Sequence, residues 1–209
     1  MPRAVAARPR DERGYPVLAI TPWEDGQPRF AATDTARTYI CAVERRCSVC
    51  GLGMEPGPVW RVVSGPEADA IDAARAAGLV FVNRQATVEA PGHRLCMLYA
   101  AVICPYLSRP TARRGAPAQL PGAAADRGDQ RGLGGAVASF DEVEFRLTDV
   151  VLFRFQGLGE FRRHQLGEEQ LDELVASLGD DTEPGEVAPV YLADNEEAAT
   201  ERFQFHRTD

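Results

Sequence analysis

Two short cysteine and histidine motifs, far apart in the chain, constrain the fold more than any other feature of the sequence. Cys47 and Cys50 form a C-x-x-C pair that Gly51 follows directly, and His93 and Cys96 form an H-x-x-C pair. A C-x-x-C pair presents two thiolates from one tight turn, and residues at i and i+3 share one face of a helix. Four such ligands match the tetrahedral coordination of structural zinc. The sequence therefore predicts one zinc ion held by Cys47, Cys50, His93 and Cys96.

The two remaining cysteines are assigned to the apolar core. Cys104 lies eight residues beyond Cys96, so a continuous helix would carry it about 12 Å farther along its axis. One ion cannot easily reach both thiolates. If His93 is not a ligand, Cys104 or a water molecule is the replacement. Cys41 falls on a predicted helix before the first motif and is expected to pack as a small apolar residue.

The C-x-x-C pair also has a redox interpretation and an interpretation as unligated core thiols. A redox pair of the thioredoxin type begins a helix in a βαβ setting, whereas Gly51, Gly53 and Pro56 follow the pair here. Five cysteines is an odd number, and their spacing favours metal binding in a reducing compartment over a disulfide framework. We therefore expect a cytoplasmic protein.

Apolar periodicity and turn residues predict the order of helices and strands. Thr33 or Asp34 is the candidate N-cap, Gly78 ends an alanine-rich helix, and Gly92 or His93 begins the helix that carries Cys96. The predicted elements are, in chain order, an edge strand over 17–20, a helix over 34–46, a strand over 59–63, a helix over 66–77, a strand over 79–83, a helix from 92 or 93, strands over 143–147 and 150–155 and a helix over 168–178.

The fold class predicted from this order is α+β. A cysteine knuckle, a strand pair and a helix in succession describe a treble-clef-like zinc finger with a flanking helix, to which a small ββα unit and disordered termini are added. The predicted parts are an N-terminal arm with an edge strand at 1–32, the zinc-binding domain at 33–110, a linker of Ala, Gly, Pro and Arg at 111–136, the ββα unit at 137–179 and an acidic tail at 180–209.

Four segments of the chain together resemble a known pattern. The segments are Glu44–Gly51 (ERRCSVCG), Val82–Arg84 (VNR), Pro91–Cys96 (PGHRLC) and Ile103–Pro110 (ICPYLSRP). The set resembles uncharacterised proteins of actinobacteria and their phages, in which C-x-x-C-G is followed by V-N-R, P-x-H-x-x-C and a C-P-F-L-like end. The resemblance implies a zinc-binding finger over about residues 34–110 and supplies no reaction. Residues 66–77 depart from the compact spacing of that pattern and look like an insertion.

Charge and composition narrow the function classes. All 23 basic residues are arginine, so mechanisms that need a lysine, such as Schiff-base chemistry or a P-loop, are excluded. The net charge is −8, although residues 34–115 carry ten arginines against seven acidic residues. This local excess favours a non-catalytic zinc module that binds another macromolecule, with nucleic acid preferred to protein. The candidate partner contacts are Arg45, Arg46, Arg84, Arg94 and Arg109. Hydrogen bonding of Asn83 and Arg84 within their own loop is the simpler alternative for those two residues.

The alternative function is catalytic. A nuclease of the ββα-metal type (HNH-like), or another metal-dependent hydrolase, also uses a treble-clef scaffold. Such a nuclease needs a general-base histidine beside a second metal. The chain has three histidines, His93, His164 and His206, of which His93 is already assigned to zinc. No catalytic residue is therefore assigned.

Overall fold

The computed structural model describes residues 1–30, 32–82, 85–103, 135–164 and 191–208. These residues form a mixed α+β fold with two small antiparallel sheets. The elements are α1 (Arg3–Ala6), β1 (Trp23–Glu24), β2 (Gln27–Pro28), α2 (Thr35–Val43), β3 (Val59–Ser64), α3 (Gly65–Ala76), α4 (Arg94–Ile103), β4 (Gly135–Leu147), β5 (Val151–His164) and α5 (Glu196–Thr208).

The central feature is a three-stranded antiparallel sheet with the order β3-β4-β5. Val59 and Val63 are buried on one face of β3, where they contact Phe140, Phe153 and other apolar residues of the β4–β5 hairpin. β3 belongs to the predicted zinc domain, whereas β4 begins inside the predicted linker. The sheet therefore joins β3 to strands that lie on the far side of most of the predicted linker. The sequence pattern predicted strands in this region, but it did not reveal that β4 pairs with β3.

Two helices follow their sequence signals closely. Asp34 caps α2, because its carboxylate accepts a hydrogen bond from the Arg37 N–H at 2.7 Å. Pro66 lies at the first turn of α3, where the missing N–H has no intrahelical partner to lose. Gly78 follows α3 with a φ of +67°, a conformation that glycine adopts without strain. The predictions for residues 34–46 and 66–77 are confirmed in type. α2 is shorter than predicted, and α3 begins and ends one residue earlier.

The C-terminal helix α5 corrects the expectation of a disordered acidic tail. It packs against α2, and the buried Arg37 guanidinium donates to the Leu192 carbonyl at 2.7 Å and to the Glu196 carboxylate at 2.7 Å. Arg8 also donates to the carbonyls of Tyr191 and Leu192. A hydrogen-bonded arginine can be buried, and here Arg8 and Arg37 hold Tyr191, Leu192 and Glu196, although the Nε atom of Arg37 has no hydrogen-bond partner among the residues that the structure describes. Composition alone therefore gave the wrong result for residues 191–208.

The N-terminal arm is also ordered. Val5 and Val17 are fully buried, and α1 contributes Val5 to the same cluster as the cysteine motifs. Residues 17–20 do not form the predicted edge strand. A short hairpin, β1–β2, forms instead around Asp25 and Gly26, whose positive φ angles of 51° and 74° suit a two-residue turn.

Two further expectations concern the stretches beside the sheet. Residues 79–82 do not form a strand, although their apolar run predicted one. The predicted helix over 168–178 and most of the predicted linker lie outside the described residues. Within the described part of the chain, no helix combines the length and the apolar character needed to cross a membrane.

Candidate metal centre

The two motifs meet at one point of the fold. Ligand atoms of Cys47, Cys50, His93 and Cys96 all lie within 4.8 Å of one another. The His93 Nδ1 atom is 3.4 Å from the Cys50 sulfur and 3.9 Å from the Cys96 sulfur. A sulfur and a nitrogen on one tetrahedral zinc ion would be about 3.6 Å apart. The donor set and its spacing therefore fit a metal ion, and the group holds no other residue.

The first motif forms a tight knuckle. The Cys47 N–H donates to the Leu52 carbonyl at 2.9 Å, and the Gly51 N–H donates to the Cys47 carbonyl at 2.8 Å. Gly51 has a φ of +78°, and a Cβ atom there would lie 2.9 Å from the Tyr191 carbonyl oxygen. Glycine is therefore required at this position by both conformation and space. The knuckle directs the sulfurs of Cys47 and Cys50 to the same side.

The second motif is placed by the sheet and by the knuckle itself. Gly92 and Trp60 exchange two backbone hydrogen bonds at 3.0 and 2.8 Å, and the Ser48 N–H donates to the Pro91 carbonyl at 3.0 Å. These bonds fix the backbone directly before His93. α4 begins at Arg94. His93 therefore lies one residue before the helix, whereas Cys96 lies in its first turn. The Met97 N–H donates a hydrogen bond to the His93 carbonyl at 3.0 Å.

The orientation of the His93 ring is set by a backbone carbonyl. Its Nε2 atom lies 3.0 Å from the Gly53 carbonyl oxygen. A carbonyl oxygen only accepts, so Nε2 carries the proton and donates. In a neutral ring the Nδ1 atom then presents its lone pair to the three sulfurs. A carbonyl that fixes the tautomer of a ligating histidine in this way is a recurrent feature of metal sites.

The electrostatics of the group favour a cation at its centre. Burial acts to raise the pKa of Cys47, but hydrogen bonds from Cys50, Cys96 and His93 bring it well below the usual thiol range. Interaction with Cys47 raises the pKa of Cys50 and of Cys96. Burial acts to lower the pKa of His93, but the Cys47 and Cys50 thiols raise it to about 11. The three thiols therefore cannot all ionise without a compensating charge, which a divalent ion would supply.

The group is enclosed by an apolar cluster. Cys47, Cys50 and Cys96 are buried with Val49 and Leu98. A backbone hydrogen bond also reaches the group, because the His93 N–H points to the Cys47 sulfur at 3.4 Å. These three buried cysteines and the half-buried His93 together could hold a metal ion.

Gly92 leaves no space for a side chain beside the metal ligands. A Cβ atom there would lie 2.8 Å from the Cys47 sulfur and would overlap the Met97 methyl group. We expect Gly92→Ala to weaken metal affinity by about 10–100-fold, as changes that displace a ligand do. Competition titration of the metal-loaded protein against a chromophoric chelator measures this effect.

Gly53→Ala is the matched control for that change. Nothing lies within 4 Å of a Cβ atom at Gly53, and its carbonyl remains available to His93. The affinity of this variant should stay within about twofold of the original protein, because an exposed substitution that touches nothing has little effect. Equal losses in both variants would show that Gly92 has no particular role at the ligands.

The predicted partner contacts lie elsewhere or are engaged within the chain. Arg45 donates to the Gly57 carbonyl at 2.6 Å. Arg46 pairs with Glu44 at 2.6 Å, and its guanidinium lies 4.2 Å from the centre of the Tyr191 ring. Arg94 lies over the Trp60 ring at 5.4 Å and 3.6 Å from Glu160. Arg84 and Arg109 lie outside the described residues, as does Cys104.

The structure adds roles that the sequence pattern did not reveal. The Gly53 carbonyl orients His93, the Tyr191 carbonyl lies against Gly51, and Gly92, predicted only as a possible helix start, lies against the Cys47 sulfur. Cys41 is buried in a different apolar cluster, and it does not belong to the ligand group. Its assignment to the core is thus confirmed.

Comparisons with known proteins add no further assignment. No protein-family model, no curated protein and no solved structure matches this chain. What this protein does is therefore inferred from its own residues and their arrangement.

Proposed function

We propose that this chain is a non-catalytic, zinc-stabilised module that binds another macromolecule. One zinc ion is held by Cys47, Cys50, His93 and Cys96 in a treble-clef-like arrangement. The convergence of these four ligands within 4.8 Å is the single observation that carries the proposal. Three thiolates and an imidazole favour zinc over harder ions such as magnesium or calcium, which prefer oxygen ligands. Thiolate ligation also fits the reducing cytoplasm.

A structural role follows from the number of ligands. Four protein ligands complete a tetrahedron, whereas catalytic zinc sites keep a position open for water or substrate. The ion would instead join the knuckle to the start of α4 and so replace part of an apolar core. The rest of the fold would then serve as the surface that a partner recognises.

The class of partner is the open part of the proposal. The local arginine excess favoured nucleic acid, but the guanidinium groups of Arg45, Arg46 and Arg94 already make contacts within the chain. Engaged arginines are poorer phosphate ligands than free ones, because binding a phosphate would cost the existing contacts. These observations support a protein partner more than a nucleic-acid partner.

Metal content tests the proposal directly. We expect one equivalent of zinc per chain in protein purified without chelator and without a metal-affinity tag, measured by inductively coupled plasma mass spectrometry. Cobalt substitution should give the absorption of tetrahedral thiolate coordination. Purified, folded protein with no bound metal would contradict the proposal.

The nuclease alternative has its own test. It would require magnesium-dependent cleavage of plasmid DNA by the zinc-loaded protein, lost in a His206→Ala or His164→Ala variant that keeps its zinc. Among the described residues His206 faces Glu44 at 2.7 Å, and the metal-centre ligands are the one group of three or more that could hold an ion. We therefore expect no cleavage.

A further inference from the structure

A groove of about 660 Å³ lies along the outer edge of the large sheet, beyond the point where Thr87 pairs with Phe153. β5 is the last strand of that sheet, so one side of it is not covered by β4. The groove runs between β5 and the segment that follows α3. The residues of its described lining that matter here are Arg75, Leu79, Val80, Val82, Arg154 and Phe155.

The backbone of β5 presents hydrogen-bonding groups to this groove. Thr87 and Phe153 exchange two backbone hydrogen bonds at 2.9 and 2.8 Å, so the N–H and C=O of Phe153 point away from β4. Backbone groups alternate in direction along an antiparallel strand. Phe155, two residues on, therefore directs its N–H and C=O to the same free side. An edge of this kind can accept a further strand.

The opposite wall of the groove is apolar and exposed. Leu79, Val80 and Val82 are 66%, 88% and 63% exposed. Exposed apolar residues that cluster beside a concave surface are typical of interaction sites. They lie in a segment with no regular secondary structure.

The charge of the groove identifies its ligand further. Arg75 and Arg154 are the charged residues in the described lining, and the Asp141 carboxylate lies beside it, against Gly157. Arg75 is held in place by a 3.0 Å hydrogen bond to the Gly159 carbonyl and by the Phe161 ring. Two arginines beside an apolar wall are complementary to a segment that carries acidic and apolar side chains.

We propose that this groove binds an extended, acidic peptide segment of a partner protein as an added strand on β5. Backbone hydrogen bonds to Phe155 set the register. Apolar side chains of the peptide contact Leu79, Val80 and Val82, and a carboxylate lies between Arg75 and Arg154. Strand addition of this kind takes its affinity from the main chain and its specificity from side-chain pockets. The inference rests on the proposed function, because it names the partner of the zinc-stabilised module.

Peptide selection tests the inference without a known partner. Random decapeptides displayed on phage are selected against the full-length, zinc-loaded protein. We expect enriched sequences to alternate apolar residues and to contain Asp or Glu. A synthetic peptide of the enriched sequence should lose at least about tenfold in affinity against Val80→Glu and against Arg154→Glu, as central contacts of an interface do.

Arg146→Glu is the matched control. Arg146 is an exposed arginine on the same hairpin and outside the groove lining, so its charge reversal should leave peptide affinity within about twofold. Hydrogen exchange by NMR should show slower exchange of the Phe155 amide in the peptide complex. Unchanged exchange at Phe155, or equal affinity losses in Arg146→Glu and Arg154→Glu, would overturn the inference.

Two further outcomes keep the inference separate from the proposed function. If Arg154→Glu abolishes binding of a DNA or RNA oligonucleotide while no peptide is enriched, the groove is a nucleic-acid site and the inference is wrong. Zinc content is measured in the same samples. Peptide binding by a protein without zinc would refute the proposed function alone, whereas zinc-loaded protein that selects no peptide would refute the groove alone.

Discussion

Cys47→Ser is expected to cost the protein its metal and most of its stability. Cys47 is fully buried, receives the His93 N–H and lies at the centre of the thiol contacts. Structural zinc supplies about 10–16 kcal/mol of apparent binding free energy in small zinc domains. Typical domains have only about 5–15 kcal/mol of total stability. The loss of one ligand therefore approaches the whole stability of the part of the fold built around the metal.

Circular dichroism melting and metal analysis of the purified variant measure this effect. We expect substoichiometric zinc and a broadened transition at lower temperature. Treatment of the original protein with a strong chelator should produce the same change, because the ion and not the thiol itself is the stabilising element.

Cys41→Ser provides a matched cysteine control for that result. Cys41 is buried but lies outside the ligand group, so this variant should keep one zinc per chain. Its cost is that of burying a hydroxyl group, about 1–3 kcal/mol. If Cys47→Ser also keeps a full equivalent of zinc and unfolds at the same temperature as Cys41→Ser, the assignment of the metal centre is wrong.

The second large effect is expected at Arg37, far from any ligand. Its side chain is fully buried, and it joins α2 to residues 192–196 through the Leu192 carbonyl and the Glu196 carboxylate. Removing one partner of such a buried pair leaves the other without its counter-charge. We expect Arg37→Met to lower the free energy of unfolding of the zinc-loaded protein by about 3 kcal/mol, the lower end of the range for buried pairs, because Glu196 is partly exposed. Urea denaturation followed by fluorescence measures it.

Arg13→Met isolates the contribution of burial. Arg13 also pairs with a carboxylate, Asp11 at 2.8 Å, but its side chain is 67% exposed. Exposed pairs contribute little to stability because water screens them, so this variant should denature at almost the same urea concentration as the original protein. A loss at Arg37 no greater than the loss at Arg13 would show that residues 191–208 are not held as described.

The metal centre was accessible from sequence because its chemistry is local. C-x-x-C and H-x-x-C each define a ligand pair within four residues. Only the proximity of the two pairs had to come from the three-dimensional structure. That meeting depends on Trp60 pairing with Gly92 and on Ser48 donating to Pro91. Backbone hydrogen bonds of this kind involve no characteristic side chain, so no pattern of residue types predicts them.

The larger fold was less accessible, and the reason differs between its parts. Asp34 and Pro66 predicted helix starts because caps act within one turn. The pairing of β3 with β4 joins residues separated by more than seventy positions, and no local signal specifies such a contact. The C-terminal segment was misread because its acidic composition suggested disorder, whereas the partners that order it, Arg8 and Arg37, lie near the other end of the sequence.

The cover over the cysteine knuckle has a consequence for the order of events during synthesis. The Tyr191 carbonyl lies against Gly51, yet a ribosome releases residues 47–96 long before it reaches residue 191. A nascent chain can thus gather its four ligands and take up an ion while the knuckle is still open to the surrounding solution. The last residues then close over the knuckle, where the Arg8 and Arg37 contacts hold them.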